Sequence, residues 1–93
     1  MADLDADIRR GQEAERLLKH ELLTGARSHI DGELWRLFRE VKPDDLEALK
    51  HIKAMQYFHA KYFAFLERAV TDGKLAQINL QAKKKTLRER VFG

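Results

Sequence analysis

The chain has 93 residues, of which 44% are hydrophobic and 35% are charged. This length allows one small domain with a limited core, and the composition favours long helices over a β-sandwich or a disordered chain. The absence of cysteine excludes disulfides, thiolate metal sites and a cysteine nucleophile. The N-terminus is acidic where a signal peptide would be basic, and no apolar run approaches the roughly 20 residues that cross a bilayer. We therefore expect neither a signal peptide nor a membrane partner.

The net charge of +3 is unevenly distributed along the chain. Residues 74–93 hold six basic residues and one acidic residue, a charge of +5, whereas residues 1–73 hold twelve basic and fourteen acidic residues, a charge of −2. The sequence therefore predicts a mildly acidic body that carries a basic C-terminal arm.

The first helical segment runs from Ile8 to about Leu23, with apolar residues on one helical face and charged residues elsewhere. Thr24 and Gly25 interrupt this pattern. Ser28 with Asp31 then resembles a capping box that opens a new helix. We expect a break near residues 24–28, which would divide the first arm into two helices. The apolar face contains Ala14, Leu17, Leu18 and Leu22.

The only proline in the chain, Pro43, ends the first arm. It disfavours helical geometry at Lys42, so the arm should stop near Val41. Asp44 and Glu47 then supply an N-cap and an acidic residue in the first turn of the next helix. The pattern predicts an all-α fold, a long antiparallel helical hairpin with a basic C-terminal tail.

Two adjacent apolar stripes follow the second helical arm. Residues of the first stripe recur at steps of three and four, as a helix packed against one partner requires. The second stripe widens the apolar arc beyond what a single partner helix covers. From Leu46 the first stripe runs through Leu49, Ile52, Gln56, His59, Phe63, Leu66 and Val70, and the second contains Met55, Phe58, Tyr62, Phe65 and Ala69.

Two alternatives account for this width. Either a third helix buries both stripes within one chain, or the aromatic residues of the second stripe stay exposed and form a protein interface. We favour the interface, because so short a chain can bury only a small core. The predicted interface residues are Trp35, Phe38, Met55, Phe58, Tyr62, Phe65 and Phe92.

Thr71, Asp72 and Gly73 resemble a helix end with Gly73 in the left-handed position. The sequence is therefore divided into a hairpin domain, residues 1–73, and a basic C-terminal extension, residues 74–93, that is partly helical or disordered until bound. Basic residues of the extension are candidate contacts for nucleic-acid phosphates. They are Lys83, Lys84, Lys85, Arg88 and Arg90.

No catalytic or metal-binding pattern emerges. His20 and Glu21 begin a zinc-protease motif, but its second histidine position holds Thr24. His51 and His59 have no carboxylate at ligand spacing, so core or boundary positions explain them better. Ser28 has no evident base. We expect no enzyme activity, no cofactor, no metal and no small-molecule substrate.

Several segments in order resemble a family of short helical tailed-phage proteins that are encoded among virion structural genes. The resemblance spans roughly residues 13 to 80 and leaves out residues 83–93. It implies a virion component or a part of the assembly and packaging apparatus, located in the virion or in the host cytoplasm during assembly. The resembling segments are Glu15-Arg16-Leu17-Leu18, Trp35-Arg36-Leu37, Pro43-Asp44-Asp45 with Glu47, and Asp72-Gly73-Lys74-Leu75-Ala76.

Three functions remain open. A virion structural or assembly protein would use the second stripe to bind itself or a larger virion protein, and we favour this function. A small packaging protein, similar to a terminase small subunit, would bind DNA through its basic tail. A helical inhibitor would bind a host protein through the same stripe. The absence of a DNA-reading motif counts against the second function.

Overall fold

The computed structural model describes residues 3–92 and contains three helices, α1 (Leu4–Lys19), α2 (Glu21–Glu40) and α3 (Leu46–Phe92). The part described is all-α, with no strand between residues 3 and 92. α1 and α2 together form one arm of an antiparallel hairpin, and α3 forms the other. The molecule is elongated, with extents of 71 × 26 × 15 Å. The predicted all-α hairpin with a divided first arm is confirmed.

The first arm ends where Pro43 requires it to end. α2 stops at Glu40, and the backbone N–H of Val41 donates to the Leu37 carbonyl at 3.0 Å. Val41 is extended. Lys42, which directly precedes Pro43, is not helical, because the proline ring disfavours helical geometry in the residue before it. The end of α2 is therefore determined locally.

The start of α3 differs from the prediction by one residue. The N–H of Asp45 donates to the Lys42 carbonyl at 3.0 Å, which closes a turn around Pro43 and Asp44. The Asp45 carboxylate then accepts from the N–H of Ala48 at 3.1 Å. Asp45 is the N-cap and Asp44 is not, because the proline turn already contains Asp44.

The first arm breaks at His20, so the predicted break near residues 24–28 is wrong. His20 is extended, with φ −68° and ψ 128°. Its N–H donates to the Leu17 carbonyl at 3.1 Å, and its Nδ1 accepts from the N–H of Leu22 at 3.2 Å. One residue thus caps the end of α1 and the start of α2.

Residues 24–28 stay helical because their polar groups fit inside a helix. The Thr24 hydroxyl donates, at 3.0 Å, to the carbonyl of Glu21 in the preceding turn of α2. Gly25 and Gly32 both lie inside α2, and a methyl group on either would meet no atom within 4 Å. Neither glycine breaks the arm, and neither brings another helix close within the chain.

The helix end predicted at Gly73 is also wrong. α3 passes through this residue, and no glycine in the described chain has a positive φ. Gly73 is buried against Gly11 of α1 instead, so its missing side chain serves helix packing. The proposed boundary between residues 1–73 and 74–93 therefore falls inside one helix.

The core is small, and its one cluster lies where the three helices meet, while Leu34, Ile52 and Ala76 are buried outside this cluster. Ala14, Phe63 and Leu66 form a buried cluster, and no side chain in the described chain is completely buried. Four partly buried apolar residues surround the cluster. They are Leu18, Leu23, Ala69 and Val70.

Candidate protein-interaction surface

We call Met55, Phe58, Tyr62 and Phe65 the aromatic stripe. Steps of three and four residues place them on one face of α3. Phe58, Tyr62 and Phe65 are 68%, 59% and 70% exposed, whereas Phe63, next in sequence to Tyr62, is only 5% exposed. The hairpin therefore buries the first apolar stripe and leaves the aromatic stripe uncovered.

The break at His20 explains which part of α3 is covered. Ala69 and Ala76 follow Tyr62 at intervals of seven residues and continue its face. α1 packs closely over this continuation, where Ala76 is 3% exposed and Gly73 is buried. α1 thus covers the small residues of the face. Phe65 is exposed beside α1, where it lines a cleft with Asp7 and Arg10, and Phe58 and Met55 lie further along α3, towards its start.

A shallow polar cleft marks the opposite side of the α2–α3 pair. Successive helical residues are about 100° apart, so residues two positions from Ala60 point about 160° away from it. Phe58 and Tyr62 are such residues and lie on the side away from the cleft. The cleft is lined by Arg27, Ser28, Asp31, His59, Ala60 and Phe63.

α2 adds two apolar residues to the side of the aromatic stripe. Leu22 lies about 180° from Asp31 on the helix, and Ile30 lies about 160° from Ser28, so both point away from the polar cleft. Leu22 is 79% exposed and Ile30 is also exposed. We call the aromatic stripe together with Leu22 and Ile30 the aromatic face.

The sequence reasoning missed the contribution of α2 to this face. It assigned Leu22 to the apolar side of the first helix with Ala14, which assumes one unbroken helix. The break at His20 rotates α2 relative to α1 and separates the two residues. The four-residue steps from Leu22 through Ala26 to Ile30 are a signal that would have identified the contribution.

Trp35 and Phe38, also predicted as interface residues, do not join the aromatic face. Their ring centroids are 5.9 Å apart in an edge-to-face pair, and both rings are exposed. Trp35 follows Ser28 by seven residues and therefore lies on the cleft side of α2. The predicted set is divided between two sides, and the side chain of Phe92 lies outside the described residues.

Electrostatic contacts between α2 and α3 lie on the cleft side. The Arg27 guanidinium lies 4.4 Å from the centroid of the Phe63 ring, and its Nη2 is 3.0 Å from Oε1 of Glu67. The half-buried His59 ring contacts Phe63 edge-on, with centroids 5.1 Å apart. His59 therefore has the boundary position that we expected of it.

Exposed ion pairs within the helices shift three pKa values. Hydrogen bonding to Arg36 lowers the pKa of Glu33, and the bonds to Glu33 and Glu40 raise the pKa of Arg36. The bond from Lys19 lowers the pKa of Glu15. Such pairs support single helices weakly and indicate no reactive site.

The final part of α3 extends past the rest of the hairpin, and we call residues 81–92 the basic end. The carbonyl of Asp7 lies close to Gly73, so α1, which begins at Leu4, reaches only about one turn further along α3. Leu80 is half-buried, but residues 81–91 are all exposed. Twelve helical residues therefore project about 18 Å.

The basic end carries charge around much of its circumference. One side of this helix carries Lys84, Lys85 and Arg88, since Lys85 and Arg88 follow Lys84 by one and four residues. The other side carries Lys83 and Arg90. Leu87 and Val91 are exposed between them. The structure thus gathers all five predicted phosphate contacts on one projecting helix end.

Within the described residues, no group of three or more His, Cys, Asp or Glu side chains is placed to hold a metal ion. The same residues contain no helix long and apolar enough to span a membrane. No family model, no curated protein and no solved structure matches the chain. The resemblance to tailed-phage proteins therefore stays a prediction.

Proposed function

We propose that this chain is a non-enzymatic assembly protein that acts through protein–protein contacts of its aromatic face. The observation that carries the proposal is the exposure of Phe58, Tyr62 and Phe65 on one side of a folded hairpin. Aromatic residues are enriched at interfaces, and alanine replacement of a central one typically costs about 2 kcal/mol or more of association.

The size of the exposed surface supports this proposal. The chain exposes 7901 Å², whereas a compact monomer of 10.9 kDa would expose about 5,600 Å². Its radius of gyration is 20.4 Å, against about 12 Å for a compact domain of this length. A thin, elongated molecule with so much surface fits a component of a larger assembly.

The resemblance to tailed-phage proteins gives this assembly its proposed identity. The chain would be a virion structural or assembly protein, with its own copies or a larger virion protein as partner. It would reside in the virion, or in the host cytoplasm while particles assemble. The projecting basic end would serve as a tether.

Two variants of neighbouring residues test the proposal. Phe58→Ala removes a ring from the aromatic stripe, and Tyr57→Ala removes a similarly exposed ring about 100° away on the same helix. Each variant is followed into gradient-purified phage particles and assembly intermediates, and its melting is recorded by circular dichroism. We expect Phe58→Ala to remain folded but lose incorporation, and Tyr57→Ala to retain both.

The opposite pattern would overturn the proposal. If Phe58→Ala and Phe65→Ala unfold the chain while any folded fraction still assembles, the aromatic stripe belongs to the core. If both variants remain folded and are incorporated like the wild type, the stripe is not the contact surface.

DNA contact through the basic end is a second candidate function. It is favoured by the five basic residues that project beyond α1 without packing against the hairpin. For a protein that neutralises five phosphates of duplex DNA, the logarithm of the binding constant falls with the logarithm of the salt concentration with a slope of about −4.5. The resulting binding would be strong at low salt and independent of sequence.

Fluorescence anisotropy with labelled duplex DNA at several salt concentrations tests this function. The full chain is compared with a truncation that ends at Gln81 and with Lys84→Glu/Lys85→Glu. We expect both changes to abolish binding without changing the helical hairpin, since residues 81–91 are exposed. Unchanged binding by the truncated chain would exclude the basic end as the DNA contact.

A further inference from the structure

We infer that the aromatic face binds a second copy of this chain, with the two α3 helices antiparallel and crossing at a two-fold axis near residue 60, so that neither runs along residues 69–76, where α1 packs. This inference rests on the proposed function and names the partner at the same surface. The contact would be isologous, so each residue of the stripe meets the symmetry-related position of the other copy.

The spacing of the aromatic stripe is the first argument. Met55, Phe58, Tyr62 and Phe65 are separated by three, four and three residues, a pattern that reads the same in both directions. An antiparallel copy centred on residue 60 therefore places Phe58 opposite Tyr62 and Met55 opposite Phe65. All four positions then contact an apolar side chain, as a self-complementary face requires.

The available area is the second argument. Aromatic side chains present about 200 Å² each, so the exposed fractions of Phe58, Tyr62 and Phe65 provide about 400 Å². A standard interface buries about 800 Å² on each partner. Met55, Leu22 and Ile30 add area on the same side. The aromatic face is thus large enough to form the centre of a dimer interface.

Charge distribution is the third argument, and it favours the antiparallel orientation. The body has a charge of only −2, and the stripe itself is uncharged. Parallel packing would place the two basic ends, each carrying five basic residues, within about 10 Å of each other. Antiparallel packing separates the two Lys85 residues by about 75 Å, since each lies 25 residues from the axis. That separation far exceeds the screening length of about 10 Å at 0.1 M salt.

Sedimentation velocity over a range of concentrations tests the self-association. We expect the wild-type chain to reach twice its mass of 10.9 kDa and the dimer to persist at high salt, because the contact is apolar. Phe58→Ala should raise the dimer dissociation constant at least about 30-fold, while Tyr57→Ala should leave it unchanged. A wild-type chain that is monomeric at every concentration would overturn the inference.

Cysteine trapping tests the orientation, because the natural chain has no cysteine. Met55→Cys and Phe65→Cys each alter one end of the stripe and leave its centre intact. Antiparallel pairing brings residue 55 opposite residue 65, but separates the two copies of residue 55 by about 15 Å along the helix. A disulfide needs Cα atoms about 4.4–6.8 Å apart. We therefore expect a disulfide when the two variants are mixed and none when either is alone.

A disulfide between two Met55→Cys chains would show parallel packing and overturn the proposed orientation. Ala60→Cys is the control, since this exposed residue lies on the cleft side and should not form a disulfide.

Failure of the dimer and failure of the proposed function give different results. A monomeric wild type whose incorporation into particles still depends on Phe58 would contradict the second copy but retain the assembly role. A dimer with Phe58→Ala particles like wild type would contradict the assembly role alone.

Discussion

Gly11 of α1 and Gly73 of α3 approach each other so closely that a methyl group on Gly11 would lie 2.8 Å from the Cα atom of Gly73. The same methyl group would lie 2.9 Å from the carbonyl oxygen of Ala69. Because both obstacles are backbone atoms, side-chain rotation cannot relieve them. This contact fixes how near α1 lies to α3 and therefore how much of α3 it covers.

Gly11→Ala and Gly73→Ala should therefore destabilise the chain. Forcing an extra carbon into packed structure typically costs about 1–3 kcal/mol, which exceeds the gain of at most about 1 kcal/mol from replacing glycine in a helix. We expect a lower midpoint of urea unfolding for each variant. Gly25→Ala and Gly32→Ala are matched controls, since a methyl group at either has free space. These controls should raise the free energy of unfolding by about 0.5–1 kcal/mol. If Gly11→Ala and Gly73→Ala raised it as well, the close contact would be contradicted.

Adjacent aromatic residues of α3 should respond differently to truncation. Phe63 is buried against Ala14 and Leu66, so Phe63→Ala should cost about 3–5 kcal/mol. Phe58→Ala should change the stability of the dilute monomer by less than about 0.5 kcal/mol, because its ring is exposed and its one aromatic contact is with the exposed ring of neighbouring Tyr57. Thermal melting at low chain concentration measures both values. Equal destabilisation would mean that the Phe58 ring is packed within the monomer.

The cap of α3 should depend on Asp45 and much less on Asp44. Asp45→Ala removes the carboxylate that accepts from the Ala48 N–H, and loss of an N-cap typically costs about 1 kcal/mol. Asp44→Ala removes only a charge in the turn, worth a few tenths of a kcal/mol. Urea unfolding of the two variants gives the comparison, and a greater loss for Asp44→Ala would move the cap back to the predicted residue.

The pKa of Glu33 should depend on Arg36. In the folded chain this pKa is lowered from its usual value of 4.5 by the hydrogen bond with Arg36. The pair therefore stabilises the fold above about pH 4.5, and this contribution disappears as the pH falls through the lower folded pKa. In Arg36→Gln we expect the Glu33 pKa to rise towards 4.5, as observed by NMR titration of the carboxyl carbon. An unchanged pKa would exclude this bond as the cause.

Local sequence signals determined the main architecture. Helical periodicity and the scarcity of turn residues indicated the all-α class. Pro43 and the acidic residues after it indicated the end of α2 and, to within one residue, the start of α3. These predictions succeeded because each depends on backbone geometry within one or two turns. The exposure of Phe58, Tyr62 and Phe65 also agrees with the width of the apolar arc.

Tertiary packing decided the features that local signals misplaced. Gly73 continues a helix because Gly11 of α1 packs against it. His20 has no strong breaking propensity, yet the break there turns α1 onto the small residues of α3. That rotation leaves the aromatic face open and places Trp35 on the opposite side. Periodicity along one helix specifies its own faces, but only the contacts between helices decide which face is buried.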